Sequence, residues 1–87
     1  MCTYTTERVE LRGSAKGTHG WFSATAASVY YDHPVHAPAG HTLNIDVLAP
    51  ADGPSARVAL ELTAASALAL ADAIHAALAA VPPDLLE

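Results

Sequence analysis

The clearest constraint on the fold of this chain is a strict alternation of apolar and polar residues in the segment 41–48. Two sets of positions alternate there: Leu43, Ile45 and Val47 in one, and Thr42, Asn44 and Asp46 in the other. Successive side chains of a β-strand point to opposite faces, so a period of two is typical of a strand that buries one face. We therefore predict a strand over residues 41–48, with the apolar set facing a core and His41 on the apolar side.

Three further segments have the composition and alternation of strands, at residues 3–12, 21–32 and 57–62. In the first of them we expect Val9 and Leu11 to face inward. Residues 13–20 contain three glycines, which predicts a loop too long for a tight two-residue hairpin turn. Pro34 and Pro38 should end the second strand, because proline lacks the N–H that a sheet ladder needs.

An alanine-rich segment, residues 64–81, predicts a helix. Alanine has the highest helix propensity, Thr63 is a suitable N-cap residue, and Pro82 and Pro83 should end the helix. Apolar residues recur there at helical spacing and predict a buried stripe made of Ala67, Ala71, Ile74, Leu78 and Val81.

The predicted element order is β-β-β-β-α within a single domain covering residues 1–87. This order is typical of a two-layer α+β fold, a four-stranded antiparallel sheet with one C-terminal helix packed on one face. The other face of the sheet should carry Ser28, Tyr30, Asn44 and Glu61. That face would either contact solvent or close a dimer.

Chain length favours self-association. A chain of 87 residues with 52% apolar residues can build a core, but a domain of this size buries a modest fraction of its surface. One cysteine allows no intramolecular disulfide. Small domains without such cross-links often gain burial by oligomerising, so we expect a homodimer.

Charge argues against two classes of partner. The net charge is −5 and the chain has four basic residues, whereas nucleic-acid binding depends on neutralising many phosphates. We therefore expect no nucleic-acid partner, and the same shortage of cations disfavours anionic membranes. We also expect no signal peptide and no membrane span, and hence a cytoplasmic protein.

The segment 30–46 concentrates the residues that could carry chemistry. His33, His36 and His41 flank a short proline-bounded loop between the second and third strands. In an antiparallel pair, His33 and His41 could meet on one face with His36 between them. Three convergent imidazoles suit a divalent metal, with zinc as the first choice and iron, copper or nickel as alternatives. Asp32 or Asp46 could orient a ring nitrogen.

Other interpretations of these residues stay open. The HPVH sequence matches no established ligand motif, and loop histidines are often simply solvated. The three imidazoles could also line a metal-free pocket as acids, bases or hydrogen-bond donors. Cys2 is a fourth candidate ligand, because a cysteine at a mature N-terminus offers both an amine and a thiolate. A lone cysteine near a terminus is more often an ordinary thiol.

The chain resembles a family of short actinobacterial proteins of unknown function in its opening MCTY, in GWF after the glycine-rich segment, and in DHPVHAP and HTLNID. The resemblance implies a source and no mechanism, because no activity accompanies the family.

The functional interpretation is accordingly a small soluble protein with a histidine-rich site. It is either a metal-binding protein or a metal-dependent enzyme acting on a small organic molecule; whether it is an enzyme at all is left open by the sequence. The alternative is a non-catalytic dimeric module that binds a ligand or a partner, in which the histidines are structural.

Overall fold

The computed structural model describes residues 4–87, and its elements follow the predicted order. The strands are β1 (Thr6–Gly17), β2 (Gly20–Asp32), β3 (Thr42–Leu48) and β4 (Arg57–Leu62), and the helix is α1 (Ala64–Ala79). The strands form one antiparallel sheet in the order β1-β2-β3-β4, so the α+β class is confirmed. Short 3₁₀ turns lie at Pro50–Asp52 and Pro83–Leu85.

The predicted loop over residues 13–20 was wrong. Most of this segment extends β1 and β2 into a long hairpin, in which Gly17 pairs with Gly20 across a turn made of Thr18 and His19. Gly20 has a φ of 104°, a conformation that residues with a Cβ rarely adopt. The glycines thus permit a tight turn rather than a long loop.

The strand register sorts the side chains of the sheet onto two faces. We call one the aliphatic face, and where β2, β3 and β4 pair it consists of Ala27, Val29, Tyr31, Leu43, Ile45, Val47, Val58, Leu60 and Leu62. We call the other the polar face, and there it consists of Ala26, Ser28, Tyr30, Asp32, Thr42, Asn44, Asp46, Leu48, Arg57, Ala59 and Glu61.

Several of the buried residues lie on the polar face, which the alternation had assigned to solvent or a dimer contact, whereas Ala27 is the buried residue of the aliphatic face. Thr42 is 0% exposed and Asn44 is 6% exposed, and the Thr42 hydroxyl donates to the Asn44 side-chain oxygen at 2.6 Å. Ala24 and Ala26, in phase with them on β2, are also buried. This face is covered because the loops before β3 and β4 fold over it, as their contacts with Glu61 and Gly17 indicate.

The aliphatic face is incompletely covered, contrary to the prediction that it faces the core. Where β2, β3 and β4 pair, Ala27 is buried, Leu60 is exposed and the other residues of this face are half-buried. Val9, which was expected to face inward from β1, is 50% exposed. The reason lies in the helix.

Helix α1 forms where it was predicted and contacts β3 and β4, but it covers little of the sheet. Thr63 caps it by accepting a hydrogen bond from the Ser66 N–H at 3.2 Å. Among the residues of α1, all of which are described, every one except Ala67 is exposed, and Ile74 of the predicted buried stripe is 53% exposed. A single residue, Thr63, separates β4 from α1.

Within residues 4–87, no helix is long and apolar enough to cross a membrane.

Replacing Gly20 with alanine should destabilise the protein by about 1 kcal/mol or more, because alanine is strained at a positive φ. Urea unfolding at fixed protein concentration measures the change. Gly13→Ala is the matched control, since a Cβ there meets nothing within 4 Å and its φ is not positive. Equal stability of the two variants would contradict the prediction.

Candidate functional site

The loop between β2 and β3, residues 33–41, brings two of its three histidines into contact; we call it the histidine loop. The ring centroids of His33 and His41 lie 4.4 Å apart at an interplanar angle of 32°. His41 also stacks on Tyr31, with centroids 5.8 Å apart, which places it beside the aliphatic face. The rings of His33 and His41 approach each other as predicted, but both residues lie just beyond the strand ends rather than on a face of the sheet. The approach follows from the last β2–β3 pair, Asp32 with Thr42, which sets both histidines at the same end of the ladder.

Hydrogen bonds at the start of the loop fix the orientation of His33. Its Nδ1 lies 2.9 Å from the Gly40 carbonyl oxygen, and its backbone N–H donates to the Asp32 carboxylate at 2.7 Å. A carbonyl oxygen only accepts, so Nδ1 must carry the proton in this contact. In a neutral ring the lone pair then resides on Nε2, the arrangement typical of histidines that ligate through Nε2.

Glu61, on β4, holds the middle of the histidine loop. One carboxylate oxygen accepts the N–H groups of His36 and Ala37, each at 2.9 Å, and the other accepts the N–H of Val35. These three hydrogen bonds from Val35, His36 and Ala37 lower the pKa of the Glu61 carboxyl below its usual value. The loop is therefore attached to the polar face by a single ionised side chain.

His36 lies apart from the other two histidines. Its backbone is held by Glu61, and it lines a cleft of about 520 Å³ with Val35, Arg57 and Glu61 on the polar face. Among residues 4–87, no group of three or more His, Cys, Asp or Glu side chains is placed to hold one metal ion. Cys2 lies outside the described residues.

A second polar cluster lies beside this cleft. The Asp46 carboxylate accepts a hydrogen bond from the Tyr30 hydroxyl at 3.0 Å and pairs with the Arg57 guanidinium at 2.6 Å. Burial of the Tyr30 ring, followed by the hydrogen bond to ionised Asp46, raises the pKa of the Tyr30 hydroxyl. Asp46 thus orients Tyr30 and Arg57, whereas the sequence had suggested that it orients a histidine ring.

Sequence reasoning missed Arg57 and Glu61 as site residues. The signal was present in the RVALEL segment, where a period of two places Arg57, Ala59 and Glu61 opposite the apolar set. What the sequence did not supply was the β3–β4 register, which sets Asp46 against Ala59 and Asn44 against Glu61.

The family of the chain can be stated from its sequence. A family model, described as a family of unknown function (DUF6295), matches residues 1–87. The chain belongs to this family. No curated protein and no solved structure matches it. The resemblance to a family of unknown function is confirmed, and the function has to be argued from the site itself.

Replacing Glu61 with glutamine should loosen the histidine loop, because a neutral amide oxygen is a weaker acceptor than a carboxylate. Amide hydrogen exchange at Val35, His36 and Ala37 should speed up in the variant. The pKa of the Glu61 carboxyl is lower in the folded than in the unfolded chain, so the ionised carboxyl stabilises the fold. This stabilisation is fully present above the pKa of the unfolded chain, and it is lost as pH falls through the pKa of the folded chain.

Glutamine does not ionise, so the loss of folding stability that comes from protonating Glu61 at acid pH should be absent in Glu61→Gln. The control is Glu10→Gln, which removes the same charge from an exposed position on β1. If Glu61→Gln has the same amide exchange rates and the same dependence of stability on acid pH as the wild type, the carboxylate does not hold the loop.

Replacing Asp46 with asparagine should lower the pKa of Tyr30 toward its usual value, because the charged acceptor is removed while the burial remains. A near-ultraviolet absorbance titration, with Tyr30→Phe used to identify the Tyr30 signal, measures the shift. Asp52→Asn, at an exposed position in the loop before β4, should leave the titration unchanged.

Proposed function

We propose that the protein binds a divalent transition metal ion through His33 and His41, with zinc as the first choice and iron, copper or nickel as alternatives. The observation that carries the proposal is the 4.4 Å separation of the two imidazole rings at the end of the sheet. Two imidazoles this close are near enough for one nitrogen of each to ligate the same ion once the side chains rotate toward it. Imidazole nitrogen is a good ligand for zinc, copper, iron and nickel.

The environment of His33 supports the same assignment. The Nδ1 contact with the Gly40 carbonyl oxygen selects the tautomer that presents a lone pair at Nε2. The loop that carries both rings is held at its middle by Glu61, so the pair does not depend on a mobile segment for its geometry. Pre-positioned ligands lose less conformational freedom when an ion binds.

Two protein ligands leave coordination positions for other groups. Water, the oxygen or nitrogen atoms of a small organic molecule, or the Cys2 thiolate would fill them. A small molecule bound in this way would be polarised by the ion, which acts as a Lewis acid. This is the form in which the site would support chemistry on an organic ligand.

His36 belongs to a different part of the site in this proposal. Its backbone is held on the polar face beside Glu61, and the third imidazole is therefore not assigned as a ligand of the same ion. A His36→Ala variant separates the two arrangements, because metal affinity should persist without His36 if the pair is sufficient.

The test is metal analysis of untagged protein together with calorimetric titration of zinc, copper and nickel ions. His33→Ala and His41→Ala should each weaken binding by more than about tenfold, because each removes a direct ligand. His75→Ala is the matched control, since it deletes an exposed imidazole on α1 and should leave affinity unchanged. Circular dichroism verifies that all variants retain the fold.

Two results would overturn the proposal: no binding of any of these ions by the wild-type protein, or equal affinity in wild type and both loop variants. Either result would favour the alternative of a non-catalytic binding or interaction module in which His33 and His41 are structural.

A further inference from the structure

The single chain exposes far more surface than a compact protein of its mass. Its accessible surface is 6468 Å², whereas a folded monomer of 8.9 kDa is expected to expose about 4,800 Å². The radius of gyration is 14.4 Å, against about 12 Å expected for a compact domain of this length. The excess surface, about 1,700 Å², is roughly twice what each partner buries in a standard protein–protein interface.

Two elements of the chain expose apolar side chains in rows. On α1, a stripe runs through Ala67, Leu70, Ala71, Ile74 and Leu78, all exposed except the half-buried Ala67. The other element is the aliphatic face of the sheet, where Leu60 is 40% exposed and most of its neighbours are only half-buried. Exposed apolar surfaces of this kind mark interaction sites.

We infer that these two surfaces bind a second copy of the chain, the helix stripe of each copy packing on the aliphatic face of the other. The two surfaces are complementary in kind, because an apolar helix stripe is the element that ordinarily covers the apolar face of a sheet. In the single chain α1 leaves most of that face uncovered. Exchange between two copies satisfies both surfaces at once through a two-fold symmetric contact.

The contact surfaces are uncharged, which favours an apolar partner surface over a charged one. Each chain has a net charge of −5, and association of two copies is least opposed where the residues in contact carry no charge. The nine side chains of the aliphatic face where β2, β3 and β4 pair and the five of the helix stripe carry no charge. Asp72, the acid of α1, lies off the stripe on the helical wheel. Contact between these surfaces therefore buries no like charges.

The test is the mass of the protein in solution, by light scattering after gel filtration over a wide range of concentration. The wild type should have twice the mass of one 8.9 kDa chain. Ile74→Glu should weaken association by roughly a hundredfold or more, because it places an unpaired charge in an apolar contact. Leu68→Glu is the matched control, since Leu68 is 68% exposed but lies about a third of a turn away from the stripe, and it should remain dimeric.

If circular dichroism shows that Ile74→Glu has lost its helix, a second variant and a cross-linking experiment still test the inference. Leu60→Glu changes the opposite surface and should also dissociate the dimer. In a Cys2→Ser background, a mixture of Ile74→Cys and Leu60→Cys chains should form a disulfide between chains when oxidised.

A monomeric wild type at all concentrations, or full dimerisation in both glutamate variants, overturns the inference, and the monomeric result assigns the surface to a different protein. This test is independent of the metal proposal. The variants at Ile74 and Leu60 change no proposed metal ligand and are measured by mass, whereas the variants at His33 and His41 are measured by metal affinity.

Discussion

The pairing of β2 with β3 is the constraint on which the rest of the structure depends. Its register places Asp32 opposite Thr42, so the loop between them must begin and end at one edge of the ladder. That closure brings the rings of His33 and His41 within 4.4 Å although eight positions separate them in the chain. The same register sets Tyr30 diagonally across from Asp46, within hydrogen-bond distance. A shift by one residue would reverse the faces and separate both pairs.

The second determinant is the use of ionised side chains on β4. Glu61 accepts hydrogen bonds from three backbone N–H groups of the histidine loop, and Arg57 neutralises Asp46 beside Tyr30. Such charge-assisted hydrogen bonds are stronger than neutral ones and are directional. They hold polar groups on a face that also carries the buried Thr42 and Asn44, while most of the aliphatic face is only half-buried. The usual coverage of a sheet is therefore inverted in the single chain, because its polar face is better covered than its aliphatic face.

This inversion links the two proposals. Tyr31, which belongs to the aliphatic face, stacks on His41, so the histidine pair lies at the margin of the surface inferred to bind a second copy. An apolar neighbourhood excludes water and strengthens the interaction of a bound ion with its ligands. A metal site and a dimer contact would in that case share one edge of the sheet while depending on different side chains.

The sequence alone determined the order of the main elements, because propensity and periodicity are local. The alternation over 42–48 predicted β3, and the Thr63 cap predicted the start of α1. The short loop predicted the His33–His41 contact. The segment 13–20 was the exception, since its glycines predicted a loop and the structure has a hairpin. The sequence did not determine which face would be buried. An alternating pattern is compatible with burial of either face until the loops and the helix are placed. The position of the helix depends on the direction of the one-residue connection at Thr63, which no local rule sets. The roles of Arg57 and Glu61 also required the β3–β4 register, since their partners are distant in the chain. Long-range pairing and coverage were decided by the tertiary structure.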